Sequence, residues 1–280
     1  MNDLNTAAPK VAGKPPASKK APEDVLVHLN ESSLIPGDTA TISAWNISFF
    51  GAIALLVGLP LFRPTPFLEI LKFVPDGLTA TFTVTLCSIF LALVLGLLAG
   101  LGRIARTTII NRVATVYVEV VRGIPLLVQL FYIYYALGPL FHLNGLMSAI
   151  AALSICYGAY LAEIFRAGIQ SIAKGQMEAA LALGMSRTQA LWKIILPQTV
   201  KVVLPPIGNE FIALLKDSSL VSILAVSDLL RRGREFASTT FNYLEAYTVV
   251  ALIYLIMTLF FSRLVGIMEE RLRTHGRKHH

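Results

Sequence analysis

Two windows of this chain, Ala44 to Phe62 and Leu78 to Gly102, contain no charged residue. A helix needs about 20 predominantly apolar residues to cross the hydrocarbon of a bilayer. Four further windows meet that demand with few charges. Val113 to Leu137 holds Glu119, Arg122 and Gln129. Leu146 to Phe165 holds Glu163. Val202 to Val226 holds Glu210, Lys216 and Asp217, and Ala246 to Ile267 holds Arg263. The sequence therefore predicts an all-α, polytopic membrane protein with six transmembrane helices. Only 15% of the residues are charged, against about a quarter in soluble domains. That composition excludes an ordinary soluble domain, and 55% hydrophobic residues exclude a chain that is disordered throughout.

Local residues set the expected boundaries. Gly138-Pro139 is expected to stop the third helix, because proline lacks an amide donor and clashes with the preceding turn. Pro205-Pro206 suits the first turn of the fifth, where amides are unpaired anyway. Gly123-Ile124-Pro125 predicts a kink inside the third.

The net charge of +7 reads first as a topology signal. With the N-terminus inside and six crossings, the inner segments carry 4, 3, 5 and 4 Lys/Arg, sixteen in all. The outer loops carry five. The positive-inside rule then predicts both termini in the cytoplasm. Arg231, Arg232 and Arg234 in the last outer loop are the exception, and either weaken that assignment or mark a docking surface. Residues 1–43, rich in Pro, Ala and Lys, read as a disordered cytoplasmic tail. The polar stretch is too long for a signal peptide, so the first span is expected to stay uncleaved. Cys87 and Cys156 lie in apolar windows and read as small packing residues, and two cysteines exclude a disulfide scaffold. No Cys/His cluster, nucleophile elbow or phosphate loop is present, and His279-His280 read as a solvated tail. No metal site is expected, and nothing points to nucleic acid.

Charges within spans are expensive and either pair or act. Glu119 with Arg122, and Glu163 with Arg166, are spaced to meet on one helix face. Lys216-Asp217 lies well inside the fifth span, either neutralising charge at a helix break over Asp217-Ser218-Ser219 or lining a path. Tyr132, Tyr134 and Tyr135 read as an interfacial aromatic belt.

The longest inner segment, 166–201, is not loop-like. Gln176 to Leu183 reads as a short helix ending at Gly184, a residue that tolerates the left-handed conformation. Ser186 to Leu196 reads as a second, opened by a capping box of Ser186 and Gln189 and closed by Pro197. Small Ala179, Ala180 and Ala182 would let another surface approach closely. The segment runs Glu178-Ala179-Ala180, three residues, Gly184, nine residues, Ile194, one residue, Leu196-Pro197. It resembles the EAA loop of ABC importer permeases and matches each fixed position of that pattern. Further segments resemble the polar amino acid (histidine/glutamine/arginine-type) permeases: Leu78-Thr79-Ala80-Thr81, Glu119 to Gln129, Ala159 to Arg166, and Asn209-Glu210-Phe211 to Leu220.

The resemblance covers roughly 75–268. It implies a five-helix type I ABC importer permease core, preceded here by an extra transmembrane helix at 44–62 and followed by a cytoplasmic tail at 269–280. It implies a non-catalytic permease subunit of an ATP-driven amino acid importer in a bacterial inner membrane. The implied partners are an ABC ATPase dimer, a second permease chain (identical or homologous), an extracytoplasmic solute-binding protein and membrane lipid. No cofactor is expected on this chain; ATP and Mg belong to the ATPase. Glu178, Ala179, Ala180 and Gly184 carry over as the coupling contacts. The candidate path residues are Tyr160, Glu163, Asp217 and Ser218, with Gln129 and Asn209 beside them. A self-sufficient secondary transporter would leave the EAA loop without a purpose. A membrane enzyme would need a clustered nucleophile or metal set that the sequence lacks.

Overall fold

The computed structural model describes residues 44–277, with side chains to Leu272. The expectations for residues 1–43 and for His279-His280 lie outside the described residues. Among the described residues all regular structure is helical. By length and composition, five stretches can cross a membrane, and a sharply bent helix pair makes a sixth.

The first span is α1 (Ala44–Phe62). It shows much of its apolar surface and is tied to the last helix by the Trp45 indole, which donates to the Leu259 carbonyl at 3.0 Å. A short helix α2 (Pro64–Phe73) leads through a single tight turn into α3 (Gly77–Arg103). The third expected span is two helices, α4 (Thr108–Gly123) and α5 (Leu126–Phe131), which meet at 103°. The expected kink is a full break. Ile124, preceding proline, is pushed to the extended region, and both Ile124 and Pro125 adopt it. Nor does Gly138-Pro139 stop the chain's helical run. A wide π-type turn over Tyr132–Leu137 passes into α6 (Gly138–Phe141), which ends at His142 with φ 54°.

Next, α7 (Gly145–Ser171) runs six residues past its expected end. After it come α8 (Lys174–Ala182) and α9 (Arg187–Ala190). Pro197 does not close the second short helix. A π-type turn over Leu191–Ile195 widens the backbone just before it, and α10 (Leu196–Asp217) takes proline in its first turn. The expected position of Pro205-Pro206 is likewise corrected: both lie in the interior of α10. Such breakers are tolerated in spanning helices, where neighbours and local adjustments satisfy the freed backbone groups. At Ser218 the helix tightens into a 3₁₀ run, Ser218–Leu224. α11 (Leu229–Thr240) and the long α12 (Tyr243–Arg277) complete the chain. The last helix continues well beyond the expected end of its span at Ile267.

The main core lies where α3 and α7 cross. Without a hydrophobic drive in lipid, helix pairs rely on small residues that let backbones approach. A methyl added to Gly96 would sit 2.6 Å from Leu161 Cβ, and one on Gly100 2.8 Å from the Ala162 carbonyl. One on Gly158 would meet the Tyr117 hydroxyl at 2.8 Å. Leu153 and Leu161 of α7 and Leu214 of α10 are fully buried beside this crossing. A second cluster joins α2, α11 and α12 through Ile70, Leu229, Phe236 and Val249. Here Asp228 caps α11, accepting from the Arg231 amide at 3.0 Å, while the Leu229 amide donates to Thr81 Oγ1 at 3.1 Å.

Arg231, Arg232 and Arg234 each have partners within the chain. Arg231 pairs with Glu235, and Arg232 with Asp76 and Glu235. Arg232 also lies over the Phe73 ring at 3.8 Å, and Arg234 donates to the Ser222 carbonyl. Cys156 is buried as expected, whereas Cys87 is exposed on the flank of α3.

Candidate functional site

Two features carry the chemistry: a shaped projection at one end of the helices and a polar cavity beside the α4–α5 break.

The projection is α8 and the turn after it. Gly184 has φ +81°. The Gly184 amide donates to Leu181 O at 3.0 Å, and the Met185 amide to Ala180 O at 3.1 Å. This pair of bonds defines a Schellman end and requires the left-handed conformation that glycine adopts without strain. Ser186 and Gln189 form both halves of the capping box, at 3.2 and 2.9 Å. The turn is therefore fixed from both sides. Glu178, Ala179 and Gly184 face outward, whereas Ala180 is buried beneath the turn. Leu183 is 84% exposed, an apolar knob in the variable part of the motif that the fixed pattern did not single out. From Arg187 to Leu224 the chain is helical without a loop. The projection joins this element through the turn at Leu183 to Ser186.

That element passes the cavity at Glu210, Ala213 and Asp217. About 430 Å³ in volume, the cavity is lined by Arg122 and Ile124–Leu126 at the break, Tyr157 and Tyr160 on α7, and Glu210, Ala213 and Asp217 on α10. The Tyr157 hydroxyl donates to Asp217 Oδ2 at 2.8 Å. The Arg122 guanidinium lies over the Tyr160 ring, 5.1 Å from its centre, a cation–π geometry. Arg122 and Glu210 line the same cavity. Opposite charges thus face one space next to a helix break, an arrangement suited to a zwitterion.

Of the candidate path residues, Tyr160 and Asp217 line this cavity; the other four do not. Glu163 accepts from both Arg103 and Arg166 and ties the end of α7 to that of α3. Ser218 is fully buried, donating to the Leu215 carbonyl at 2.7 Å. The Gln129 amide donates to the carbonyls of Val121 and Ile124, at 2.8 Å each, and so closes the backbone opened by the break. Asn209 is exposed, away from the lining. The expected Glu119–Arg122 pair does not form among the described ion pairs, since Arg122 turns to Tyr160. Arg122, Tyr157 and Glu210 were not among the candidates. For Glu210 the signal was spacing: it stands seven residues from Asp217 on one helix, hence on one face; Arg122 and Tyr157 reach the cavity from other helices.

Residues 92–274 match the family described as "Binding-protein-dependent transport system inner membrane component". The chain belongs to this family. The permease is 39% identical over 201 residues to the glutamine transport system permease GlnP of Escherichia coli K12, covering 71% of this chain and 92% of that protein. It is 35% identical over 207 residues to the arginine transport system permease ArtQ of Bacillus subtilis, covering 73% and 94%. A crystallised amino acid ABC transporter with histidines aligns at TM-score 0.69 and 40% identity, covering 73% of the permease and 96% of that chain. The inward-facing methionine transporter MetNI, at 22% identity and TM-score 0.60, shares the fold. The first span precedes the family match. The permease is the transmembrane subunit of an ATP-driven amino acid importer: it forms the translocation path and couples to an ATPase through its EAA loop. It is not catalytic, and ATP is hydrolysed by the partner subunit. Permeases of this family work with an ATPase and a substrate-binding protein.

Proposed function

We propose that the cavity at the α4–α5 break holds the amino acid in transit, and that α8 is the contact through which the ATPase drives it. The observation that carries this reading is the apposition of Arg122 with Glu210 and Asp217 around one space. A zwitterion needs a donor for its carboxylate and an acceptor for its ammonium, and the cavity offers both. Relatives named for glutamine and arginine transport support a polar amino acid as cargo.

In this reading Glu178, Ala179 and Gly184 meet the groove of an ATPase, with Ala180 holding the turn from within. ATP and Mg are held by the ATPase dimer, and this chain needs no cofactor. When the ATPases close, α8 moves as a rigid lever and carries the α9–α10 element with it. Glu210 and Asp217 shift relative to Arg122 across the break, and the preferred side of access changes. Binding drives the change only so far as the two states differ in affinity for nucleotide. The projection faces the cytoplasm of a bacterial cell, both termini lie on that side, and a second permease chain, identical or homologous, completes the path. A binding protein delivers cargo to the opposite side.

The test is transport and substrate-stimulated ATP hydrolysis by the complex purified through this chain and reconstituted in vesicles. Arg122→Gln, Glu210→Gln and Asp217→Asn should each lower both by tenfold or more while the complex stays assembled. Wild-type transport in all three would remove the cavity from the path.

A further inference from the structure

A second groove opens at the other end of α10, beside the projection. About 460 Å³ in volume, it is lined by Gln198, Lys201, Val202 and Pro205 on α10 and by Glu269 and Leu272 on α12. That volume suits a small ligand or a headgroup, since such sites span about 300–1,000 Å³. The four α10 residues recur at i, i+3, i+4 and i+7, one stripe of the helix. Towards the core the two helices close together: a methyl added to Gly208 would sit 2.7 Å from Val265 Cγ2. Val200 and Val202 on α10, and Leu264 and Ile267 on α12, are exposed apolar residues. Such a surface suits hydrocarbon, and the charged run Glu269-Glu270-Arg271 begins directly after it. The groove therefore stands where the apolar belt gives way to headgroups.

Lys201 and Glu269 are both exposed, and neither belongs to an ion pair among the described residues. One cation and one anion thus face the same open groove. Gln198 Nε2 donates to the Ile194 carbonyl at 3.1 Å and to Gln176 Oε1 at 3.5 Å. Its amide protons are spent within the chain, and its oxygen is left as an acceptor. We propose that this groove binds the headgroup of phosphatidylethanolamine from the adjoining leaflet. Lys201 pairs with the phosphate. Glu269 and the Gln198 oxygen accept from the ethanolamine ammonium, which has three N–H donors. Val202, Pro205 and Leu272 pack on the glycerol and the first methylenes. Phosphatidylglycerol brings no cation to Glu269, and the quaternary nitrogen of phosphatidylcholine has no N–H to donate. Gln198 also touches Gln176 in the first turns of α8, so a lipid held here steadies the link between α10 and the projection. The groove is separate from the cavity at the α4–α5 break, and its lipid does not depend on where the cargo binds.

The test is native mass spectrometry of the complex purified through this chain, delipidated in detergent and titrated with one lipid at a time. Phosphatidylethanolamine should bind about threefold or more tightly than phosphatidylglycerol or phosphatidylcholine of the same acyl chains, the scale of a partly exposed charge contact. Lys201→Gln and Glu269→Gln, both exposed changes that leave the core intact, should each weaken phosphatidylethanolamine by about threefold or more. Glu269→Gln should also erase its preference over phosphatidylglycerol. Val202→Trp, which fills the groove without altering a charge, should lower the occupancy of all three lipids. If phosphatidylglycerol binds the wild type as tightly as phosphatidylethanolamine, and Lys201→Gln weakens both alike, the groove reads phosphate alone and the zwitterion selection is wrong. Equal phosphatidylethanolamine occupancy in the wild type and all three variants would place the lipid elsewhere and overturn the proposal. Soluble glycerophosphoethanolamine binding as tightly as the lipid would overturn it too, by assigning the groove to a free zwitterion.

Discussion

Replacing Gly184 separates backbone strain from bulk at the coupling turn. The residue sits at φ +81°, and a Cβ added there meets nothing within 4 Å. Alanine therefore introduces no clash. Its effect is the left-handed penalty alone, about 1–2 kcal/mol for an L-residue. If the ATPase accepts only the Schellman geometry, that penalty is added to docking, and a factor of roughly 5–30 in affinity follows. Asparagine tolerates the same conformation at smaller cost and should recover most of the loss. The assay is titration of the purified ATPase onto the permease in nanodiscs, followed by interferometry, for glycine, alanine and asparagine. Unchanged binding by Gly184→Ala, or equal loss with alanine and asparagine, would refute the argument that the turn's conformation sets the contact.

Three further changes test the framework around the site. Gly158→Ala puts a methyl 2.8 Å from the Tyr117 hydroxyl, which donates to the Ile155 carbonyl at 2.7 Å; overpacking should destabilise by about 1–3 kcal/mol, read as a lower Tm. Gln129→Leu keeps the apolar bulk but strands the Ile124 carbonyl and leaves the Val121 carbonyl with the 3.4 Å bond from the Ile124 amide alone, at about 1–3 kcal/mol; equal Tm with unaltered transport would show that the latch is dispensable. Burial pushes the Asp228 carboxyl up to about 6 from 3.8, so the fold favours its neutral form. The carboxyl is neutral in both states below about pH 4, and stability falls as pH rises through 6, by about 3 kcal/mol in full. Asp228→Asn keeps a capping oxygen without the charge, so its Tm should exceed that of the wild type at pH 8 and match it at pH 4. An equal shift at both would contradict the assignment.

Much of this architecture is legible along the chain because hydropathy and capping are local properties. The uncharged windows mark the spans, and the Schellman glycine and the Ser186–Gln189 box stand within a few residues of one another. What escapes local reading depends on partners distant in sequence. Pro197 and Pro205-Pro206 look like boundaries, yet a preceding wide turn and a low-water setting let one helix run through all three. Gly123-Ile124-Pro125 signals a bend, but its 103° angle is set by packing, with Gln129 satisfying the carbonyls it exposes. Glu163 looks functional as a lone acid in an apolar window. Only the approach of α3 brings Arg103 to it, while the i, i+7 relation of Glu210 to Asp217 becomes meaningful once α4 delivers Arg122.

The most direct measurement is a cryo-electron microscopy map of the nucleotide-free complex in nanodiscs with saturating L-arginine. The account predicts ligand density in the cavity beside the α4–α5 break, within hydrogen-bonding distance of Arg122, Glu210 and Asp217. Density for the amino acid elsewhere along the path, with no ligand between those three side chains, would contradict it.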